Sequence, residues 1–362
     1  MHGDRLDHIY RGSFKPSRKV GYRIVGREIR DSAGKVFIPR GVNVGGTTDA
    51  NNGGWPDLTF DKAYGNGMVR WGCNTVRIVS YVSDRYSWSV RGRAVAGGGS
   101  VEQADKAVDD HTDRMTRHYL NMGMVVITEA HDLTSPNFSS DNVDSVIRFW
   151  RRYAERWKHD SRVWFNIANE PNMGTDAWLA FHHRACATVR ATGASNIIVL
   201  DALNYAGDIG KAWDGTAQPY LYDPVIGPTF TMDYGNVLFS QHNYGGYAKY
   251  HTEPRVRAYI ERMQSSNLPL IYGEVGYPTV PAHANTGSFD QERGAALSTY
   301  TAALDYGVGV LWWASNFNDS YKLVDRQQGM SAVNEFAEGV VLSEAGIAVK
   351  QYVQACNALN QS

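Results

Sequence analysis

Eight short apolar runs, separated by stretches with helical periodicity, constrain the fold of this chain more than any other feature. The runs are apolar throughout rather than alternating, which is typical of parallel strands buried on both faces. We predict strands over Phe37–Val44, Asn74–Ser80, Met124–His131, Val163–Asn169, Asn196–Asp201, Val237–His242, Leu268–Glu274 and Gly307–Ala314. Strands of this kind need a layer of helices on the outer face of the sheet.

The stretches between these runs supply the helices. We predict helices over Phe60–Trp71, Glu102–Met122, Asp141–Lys158, Thr175–Thr192, Glu253–Ser266 and Asp290–Tyr306, and a last one within Ala332–Leu359. Eight strands that alternate with helices predict an α/β fold, the (β/α)8 TIM barrel. An open doubly wound sheet would need a Gly-rich phosphate turn after an early strand, and none is present.

The residues before the first strand predict a short β-hairpin. Two apolar arms within residues 22–36 flank the turn residues Asp31–Gly34, and we expect this hairpin to cap the floor of the barrel. Residues 1–21 form an N-terminal extension. Because no linker or repeat interrupts the chain, we expect residues 1–362 to form one domain.

Composition narrows the classes of ligand. The chain carries 36 Lys and Arg against 37 Asp and Glu, which disfavours a nucleic-acid partner and points to a neutral substrate. The 10 Trp and 21 Tyr suit a protein that stacks flat faces against sugar rings. No run of 18 apolar residues is present, so we expect no membrane span. No signal peptide is visible either.

The three cysteines give a weaker signal. Cys73, Cys186 and Cys356 lie far apart and lack C-x-x-C spacing, which disfavours a structural zinc site and a disulfide framework. One disulfide with a remaining free thiol stays open.

Polar residues at the strand ends mark the expected site, because TIM-barrel active sites lie at the C-terminal ends of the strands. Glu170 and Glu274 stand out, since each follows a buried apolar run. An unpaired buried carboxylate is costly, so each needs a partner or a function. The residues alone leave open a salt bridge to a nearby Arg or a catalytic carboxylate pair.

Six motifs occur in order at the predicted strand ends. They are Arg40-Gly41-Val42-Asn43, Cys73-Asn74-Thr75-Val76-Arg77-Ile78, Ala130-His131-Asp132, Asn169-Glu170-Pro171, Gln241-His242-Asn243-Tyr244 and Tyr272-Gly273-Glu274-Val275-Gly276. From about Phe37 to Asn318 the chain resembles glycoside hydrolase family 5, the cellulase and β-mannanase family of (β/α)8 enzymes with an Asn-Glu-Pro signature.

The resemblance implies a retaining mechanism through a covalent glycosyl-enzyme, with the two carboxyl groups about 5 Å apart. It implies that Glu170 is the acid/base and Glu274 the nucleophile, so we expect the pKa of Glu170 to lie above that of Glu274. Arg77 is the expected counter-charge of the nucleophile, and Tyr244 is expected to donate a hydrogen bond to the same carboxylate.

The same resemblance implies the sugar contacts. Asn169 is expected to hold the 2-hydroxyl of the reacting sugar, and relatives use His131 and His242 at that subsite. Of the adjacent Trp312 and Trp313, one faces the barrel wall and the other the mouth; we favour Trp313 as the stacking residue, with a core aromatic as the alternative. Further sugar contacts are predicted at Trp55, Trp88, Trp178 and Tyr247.

A metal cluster of the two histidines with Asp132 and a glutamate is a weaker alternative. Neither His-x-His nor His-Glu-x-x-His spacing accompanies these residues, so we expect no metal and no cofactor.

The function that we predict is a retaining, endo-acting β-1,4-glycanase, with mannan or glucomannan as the first choice of polysaccharide. The reason is that Glu129-Ala130-His131-Asp132 resembles a stretch of bacterial mannanases. Endo-β-1,4-glucanase is the close alternative, and an exo-acting β-glucosidase follows. A non-catalytic carbohydrate-binding protein on a hydrolase fold would require loss of a carboxylate, and both are present. We expect a secreted monomer.

Overall fold

The computed structural model describes residues 21–45, 61–134, 138–208, 221, 226–245, 252–279, 281, 288–315, 321–324 and 336–359. Some sequence-based predictions lie outside these residues: the N-terminal extension up to residue 20, and the sugar contacts at Trp55 and Tyr247.

The strands form a closed parallel barrel preceded by a small antiparallel sheet. In chain order they are β1 (Arg23–Val25), β2 (Glu28–Arg30), β3 (Arg40–Gly45), β4 (Thr75–Ser80), β5 (Val125–Ala130), β6 (Val163–Asn166), β7 (Ile198–Asp201), β8 (Val237–Asn243), β9 (Leu270–Val275) and β10 (Gly309–Ser315). From β3 to β10 each strand pairs in parallel with the next, and β10 returns to β3. All eight predicted barrel strands are confirmed.

Helices alternate with the barrel strands. They are α1 (Lys62–Trp71), α2 (Val90–Ala96), α3 (Val101–Leu120), α4 (Ser140–Trp157), α5 (Thr175–Ala191), α6 (Ile226–Tyr234), α7 (Glu253–Ser265), α8 (Phe289–Tyr306) and α9 (Glu344–Leu359). Serine side chains cap α3, α4 and α8 in reciprocal capping boxes, which explains where these helices begin. The helix α2 was not predicted, because its seven residues are too short for a periodic signal. Among the described helices, none is both long and apolar enough to cross a membrane.

The N-terminal hairpin caps the barrel floor, and its predicted turn at Asp31–Gly34 is confirmed. This turn joins β2 to an antiparallel bridge at Val36, and Asp31 N–H donates to the Lys35 carbonyl at 2.9 Å. A second turn that was not predicted joins β1 to β2 around Gly26, whose φ of 61° suits a glycine in a tight turn. Ile29 packs into the lower interior of the barrel beside Trp164, and this contact closes the floor.

All three cysteines lie in the described residues as buried free thiols, so the disulfide that the sequence left open is not formed.

A ladder of ion pairs joins α3 to α4 on the outside of the barrel. Aspartates four residues apart on α3 face arginines four residues apart on α4, a spacing that places each set on one helical face. Asp109 Oδ2 lies 2.8 Å from Arg152 Nε and 3.0 Å from Arg156 Nη1. The Asp109 carboxylate therefore forms ion pairs with both arginines.

We expect Asp109→Asn to lower the free energy of unfolding by about 1 kcal/mol, since it removes a partly buried charge shared by two arginines. The measurement is urea denaturation at low salt, and the loss should shrink at high salt because screening weakens the pairs.

The matched control is Asp110→Asn on the same helix. Asp110 is exposed and pairs with Lys106 one turn away, so this change should stay within about 0.5 kcal/mol of the parent. Equal losses for the two variants would show that the ladder contributes nothing beyond an ordinary surface pair.

Candidate active site

A buried arginine lies at the centre of the C-terminal end of the barrel. Arg77 is in β4, and its side chain is completely inaccessible to solvent. Its five N–H groups reach five acceptors: Nε donates to Asn166 Oδ1 (2.7 Å), Nη1 to Asn43 Oδ1 (2.9 Å) and Glu274 Oε1 (2.8 Å), and Nη2 to Asn169 Oδ1 (2.7 Å) and Asp201 Oδ2 (3.3 Å). The hydrogen-bonding capacity of the guanidinium is thereby filled by side chains of the barrel.

Glu274 lies in β9 and receives two hydrogen bonds that favour its charged form. Arg77 Nη1 donates to Oε1, and the Tyr244 hydroxyl donates to Oε2 at 2.9 Å. Burial raises the pKa of Glu274, while the Arg77 charge and the Tyr244 hydrogen bond oppose that rise. The preceding Gly273 leaves room for His242, because a Cβ at this position would lie 3.1 Å from Nε2 of that ring.

Glu170 follows β6 and has a different environment. Its backbone is in the left-handed region, with φ at 43°, which is uncommon for a residue with a side chain. Its N–H donates to Asp201 Oδ2 at 3.1 Å, and its Oε1 lies 2.9 Å from His242 Nδ1. Burial raises the pKa of Glu170, and the negative charges of Glu274 and Asp201 raise it further.

His242 lies between the two glutamates. Its Nδ1 is 2.9 Å from Glu170 Oε1 and 3.5 Å from Glu274 Oε2. Burial holds the pKa of His242 well below its usual value, and the neighbouring charge of Arg77 adds to this effect. The ring is therefore neutral, and it links the two carboxyl groups without adding a positive charge.

His131 and Asn169 line the same end of the barrel. His131 Nδ1 lies 3.0 Å from Glu129 Oε1, and its Nε2 is 3.5 Å from Asn169 Nδ2. Burial disfavours protonation of His131, but the charge and hydrogen bond of Glu129 together with the charge of Glu274 outweigh it and raise the pKa of the ring. Thr134 accepts a hydrogen bond from Asn169 Nδ2 at 3.0 Å, which orients the amide.

The two adjacent tryptophans of β10 point in different directions. Trp312 is fully buried, and its Nε1 donates to a backbone carbonyl at 3.0 Å. Trp313 is only partly buried and stacks on His131, with the ring centroids 5.9 Å apart and the planes 15° apart. Trp313 is therefore the tryptophan on the side of the site.

Aromatic rings continue from His131 along the loop after β4. Tyr81 lies edge-on to His131 at 5.1 Å, and Trp88 lies 4.6 Å from Tyr81. The Asp132 carboxylate holds this loop by accepting backbone hydrogen bonds from Val82 (2.8 Å) and Ser83 (2.9 Å). Trp88 is thus part of an aromatic row that begins at the site.

The residues do not support the metal cluster considered from the sequence. The Asp132 carboxylate accepts hydrogen bonds from the loop after β4, and His131 contacts Glu129. Within the described residues, Glu170, His242 and Glu274 could offer ligand atoms within 4.8 Å of one another. These atoms already contact one another or protein donors, so we interpret the group as a hydrogen-bonded network.

Two further residues, Asn166 and Asp201, contact Arg77 although no role was predicted for either from the sequence. The only available signal for Asn166 was a polar residue within an apolar strand. Trp178, predicted to contact sugar, is instead fully buried in α5, where its Nε1 donates to the Asp201 carbonyl at 3.2 Å. That prediction was wrong because the first turn of α5 packs against the barrel.

Comparison with known proteins agrees with this architecture. A mannan endo-1,4-beta-mannosidase of Cellvibrio japonicus is 24% identical over 310 residues, which are 84% of this chain and 61% of the relative. Endoglucanase A of Butyrivibrio fibrisolvens is 22% identical over 314 residues, 86% of this chain and 62% of the relative. The chain thus spans about three fifths of the length of both relatives.

A solved structure has the same fold. The catalytic domain of a mannanase from Streptomyces sp. SirexAA-E superposes with a TM-score of 0.64 at 24% identity, covering 95% of this chain and 94% of that chain. The family model described as cellulase, glycosyl hydrolase family 5, matches residues 32–319, which include every site residue discussed above. The chain therefore belongs to glycosyl hydrolase family 5.

Proposed function

We propose that this protein is a retaining, endo-acting glycoside hydrolase that cleaves β-1,4-linked polysaccharide, with mannan or glucomannan as its preferred substrate. The observation that carries the proposal is the pair Glu170 and Glu274, joined through His242 at the C-terminal end of the barrel. Family membership and the names of the relatives support the same activity.

The spacing of the two carboxylates supports retention. An oxygen of Glu170 and an oxygen of Glu274 lie within 4.8 Å of each other. Retaining glycosidases hold their carboxyl groups about 5–5.5 Å apart, whereas inverting enzymes need about 6.5–9.5 Å to admit a water molecule. The short spacing favours direct attack by one carboxylate on the sugar.

The different partners of the two carboxylates support different roles for them. Arg77 and Tyr244 both donate to Glu274 and favour its charged form, as a nucleophile requires. Glu170 contacts the neutral ring of His242 and faces two negative charges, so it retains its proton at a higher pH, as a general acid requires. We therefore assign Glu274 as the nucleophile and Glu170 as the acid/base.

The reaction proceeds in two displacements. In the first, a Glu274 oxygen bonds to the anomeric carbon while the glycosidic C–O bond breaks, and the Glu170 proton moves to the leaving oxygen. In the second, Glu170 takes a proton from water, and the water oxygen replaces Glu274 at the anomeric carbon. Both carboxyl groups return to their starting states.

Three residues around the carboxylates have the chemistry to hold the reacting sugar. We propose that Asn169 binds its 2-hydroxyl, that His131 contacts a neighbouring hydroxyl, and that Trp313 stacks under the ring. The mutual contacts of these side chains, Asn169 with His131 and His131 with Trp313, support one shared subsite.

The choice of mannan is supported by the Glu129–His131 pair and by the mannanases among the matched relatives. The axial 2-hydroxyl of mannose needs hydrogen-bonding groups placed differently from those for glucose, and a mismatch leaves buried polar groups unpaired. Because a polysaccharide is too large to enter a cell intact, this proposal also includes secretion. The alternative that a matched endoglucanase favours is cleavage of β-1,4-glucan.

We expect Glu274→Gln to abolish hydrolysis even of activated aryl glycosides, because no nucleophile remains. Glu170→Ala should retain glycosylation by activated substrates, since a good leaving group needs little proton transfer. Azide should restore its turnover and give a glycosyl azide of retained configuration. An azide product of inverted configuration from Glu170→Ala, or of retained configuration from Glu274→Ala, would reverse the two roles.

Arg77→Ala should move the acidic limb of the pH–rate profile to higher pH. Activity requires ionised Glu274, and loss of the Arg77 charge raises the pKa of Glu274, so a higher pH is needed to ionise it. Arg77→Lys keeps the charge and should shift the acidic limb less. Both variants lose the five hydrogen bonds of the guanidinium, so kcat should fall at least about 100-fold in each.

The control is Arg190→Ala, since Arg190 is also buried but donates to backbone carbonyls such as Tyr234 O (2.8 Å) and Asn196 O (2.9 Å). This variant should lose stability without moving the pH profile. An acidic limb that stays in place in Arg77→Ala would make Arg77 a packing residue.

We expect kcat/KM on glucomannan or mannan to exceed that on carboxymethyl cellulose by at least about tenfold, equivalent to about 1.4 kcal/mol. The measurement is release of reducing ends from these polymers and from xylan, together with viscosity, which falls early for an endo-acting enzyme. The assay is repeated in excess EDTA, where activity should persist.

Each other outcome identifies an alternative. Faster cleavage of carboxymethyl cellulose would make the enzyme an endoglucanase. Product release without an early fall in viscosity would make it exo-acting, loss of activity in EDTA would restore the metal cluster, and binding without release would indicate a carbohydrate-binding protein.

A further inference from the structure

Asp201 is a third carboxylate of the site, and the mechanism above gives it no role. It is the last residue of β7 and is completely buried. Its Oδ1 accepts a hydrogen bond from Asn166 Nδ2 at 2.9 Å, so the carboxylate is fixed at one end. Its Oδ2 points toward the groups that surround the two glutamates.

That one oxygen meets three parts of the site. Glu170 N–H donates to it at 3.1 Å, Arg77 Nη2 lies 3.3 Å away, and His242 Nε2 also lies 3.3 Å away. These groups come from three separate segments of the barrel: the turn after β6, the strand β4 and the strand β8. Asp201 is thus a common partner of residues that are distant in sequence.

Asp201 reaches Glu170 by two routes. It holds the backbone of Glu170 directly, at a residue whose left-handed conformation is unfavourable for a side chain and needs such support. It also lies 3.3 Å from Nε2 of the His242 ring, without a hydrogen bond to it, and Nδ1 of the same ring contacts Glu170 Oε1. Asp201 therefore supports the Glu170 backbone directly and lies beside the ring that the Glu170 carboxyl contacts.

We propose that Asp201 is a positioning residue for hydrolysis, which holds the Glu170 backbone and the Arg77 guanidinium in one arrangement beside the His242 ring. This inference rests on the proposed function, since it assigns Glu170 as the acid/base. Asp201 does not contact the reacting atoms in this role. Its effect is to place the proton of Glu170 and to share Arg77 with Glu274.

The charge of Asp201 acts on the same groups. The titratable and charged groups around it are Arg77 from β4, Glu129 from β5, Glu170 after β6, His242 from β8 and Glu274 from β9. Its negative charge raises the pKa of Glu170 and also that of Glu274. Because the acid must be protonated and the nucleophile ionised, removal of this charge should move both limbs of the pH profile to lower pH.

The test is Asp201→Asn, which keeps the shape of the side chain and removes its charge. On aryl glycosides with a poor leaving group, we expect kcat to fall about 100-fold with a small change in KM. On a dinitrophenyl glycoside, kcat should fall only about fivefold, because this leaving group needs little proton transfer from Glu170. Both pH limbs should move down. Titration of carbon-13-labelled glutamate carboxyls by NMR should show a lower pKa for Glu170 without any substrate.

The matched control is Asp132→Asn. Asp132 is equally buried just after β5, two strands away in the barrel, but its carboxylate holds the loop after β4 and contacts neither glutamate. This variant should lose stability and should affect both kinds of leaving group equally, with the pH limbs unchanged.

Results for Asp201→Asn that match this control would overturn the proposal. If the variant does not fold, Asp201→Ser, which keeps one oxygen without a charge, is measured with the same expectations. If neither Asp201 variant folds although Asp132→Asn does, Asp201 is required for the stability of the barrel, and the proposal is also overturned. Hydrolysis of polysaccharide by the wild-type protein is measured separately. If the wild type releases no product, the proposed function fails. If the wild type is active and Asp201→Asn behaves like the control, only this inference fails.

Discussion

The buried guanidinium of Arg77 is the interaction on which the rest of the site depends. A charge without access to water is costly unless it is paired and its hydrogen bonds are satisfied. The barrel supplies five acceptors in five different side chains, two of them carboxylates. In return, the positive charge of Arg77 opposes the rise that burial causes in the pKa of Glu274, to about 7, and of Asp201. Loss of the cation would leave both buried carboxyls without this compensation.

The asymmetry between Glu170 and Glu274 follows from how this cation is shared. Arg77 donates directly to Glu274 and to Asp201, whereas Glu170 contacts a neutral imidazole. Two residues of the same type therefore differ in the charge state that their surroundings favour. This is the general way in which a carboxyl pair is divided into an acid and a nucleophile. The division comes from the neighbours rather than from the glutamates.

The barrel makes this arrangement possible because the C-terminal ends of its parallel strands converge. The acceptors of Arg77 come from β3, β6, β7, β9 and the turn after β6, and each strand contributes one or two side chains. Strands hold these groups more rigidly than loops do, and the pairing registers fix their heights. The aromatic loop after β4 is held differently, by the carboxylate of Asp132 against its backbone. The site thus combines a strand-built centre with one anchored loop.

The sequence predicted the barrel, and it predicted most of the residues that surround the two glutamates. Buried parallel strands leave continuous apolar runs, and a polar residue just after such a run lies at the mouth of the barrel. For that reason Glu170 and Glu274 could be found from local pattern alone, and Arg77 could be found as a charged residue within the apolar run Asn74–Ser80. The motifs at the strand ends added the family and, through it, the expected roles. Short elements such as α2 carry too little periodicity to be recognised.

The contacts of Asn166 and Asp201 were decided only by the tertiary structure. Asn166 is the last residue of β6, and its partners Arg77 and Asp201 lie 89 and 35 residues away along the chain. The local sequence does not indicate that these side chains surround the same guanidinium, because their contacts depend on strand register and on closure of the barrel. The same applies to Trp178, whose position in a helix did not reveal that its first turn packs inward. Local sequence determines which residues lie inside or at the mouth, whereas the closed barrel determines which of them meet.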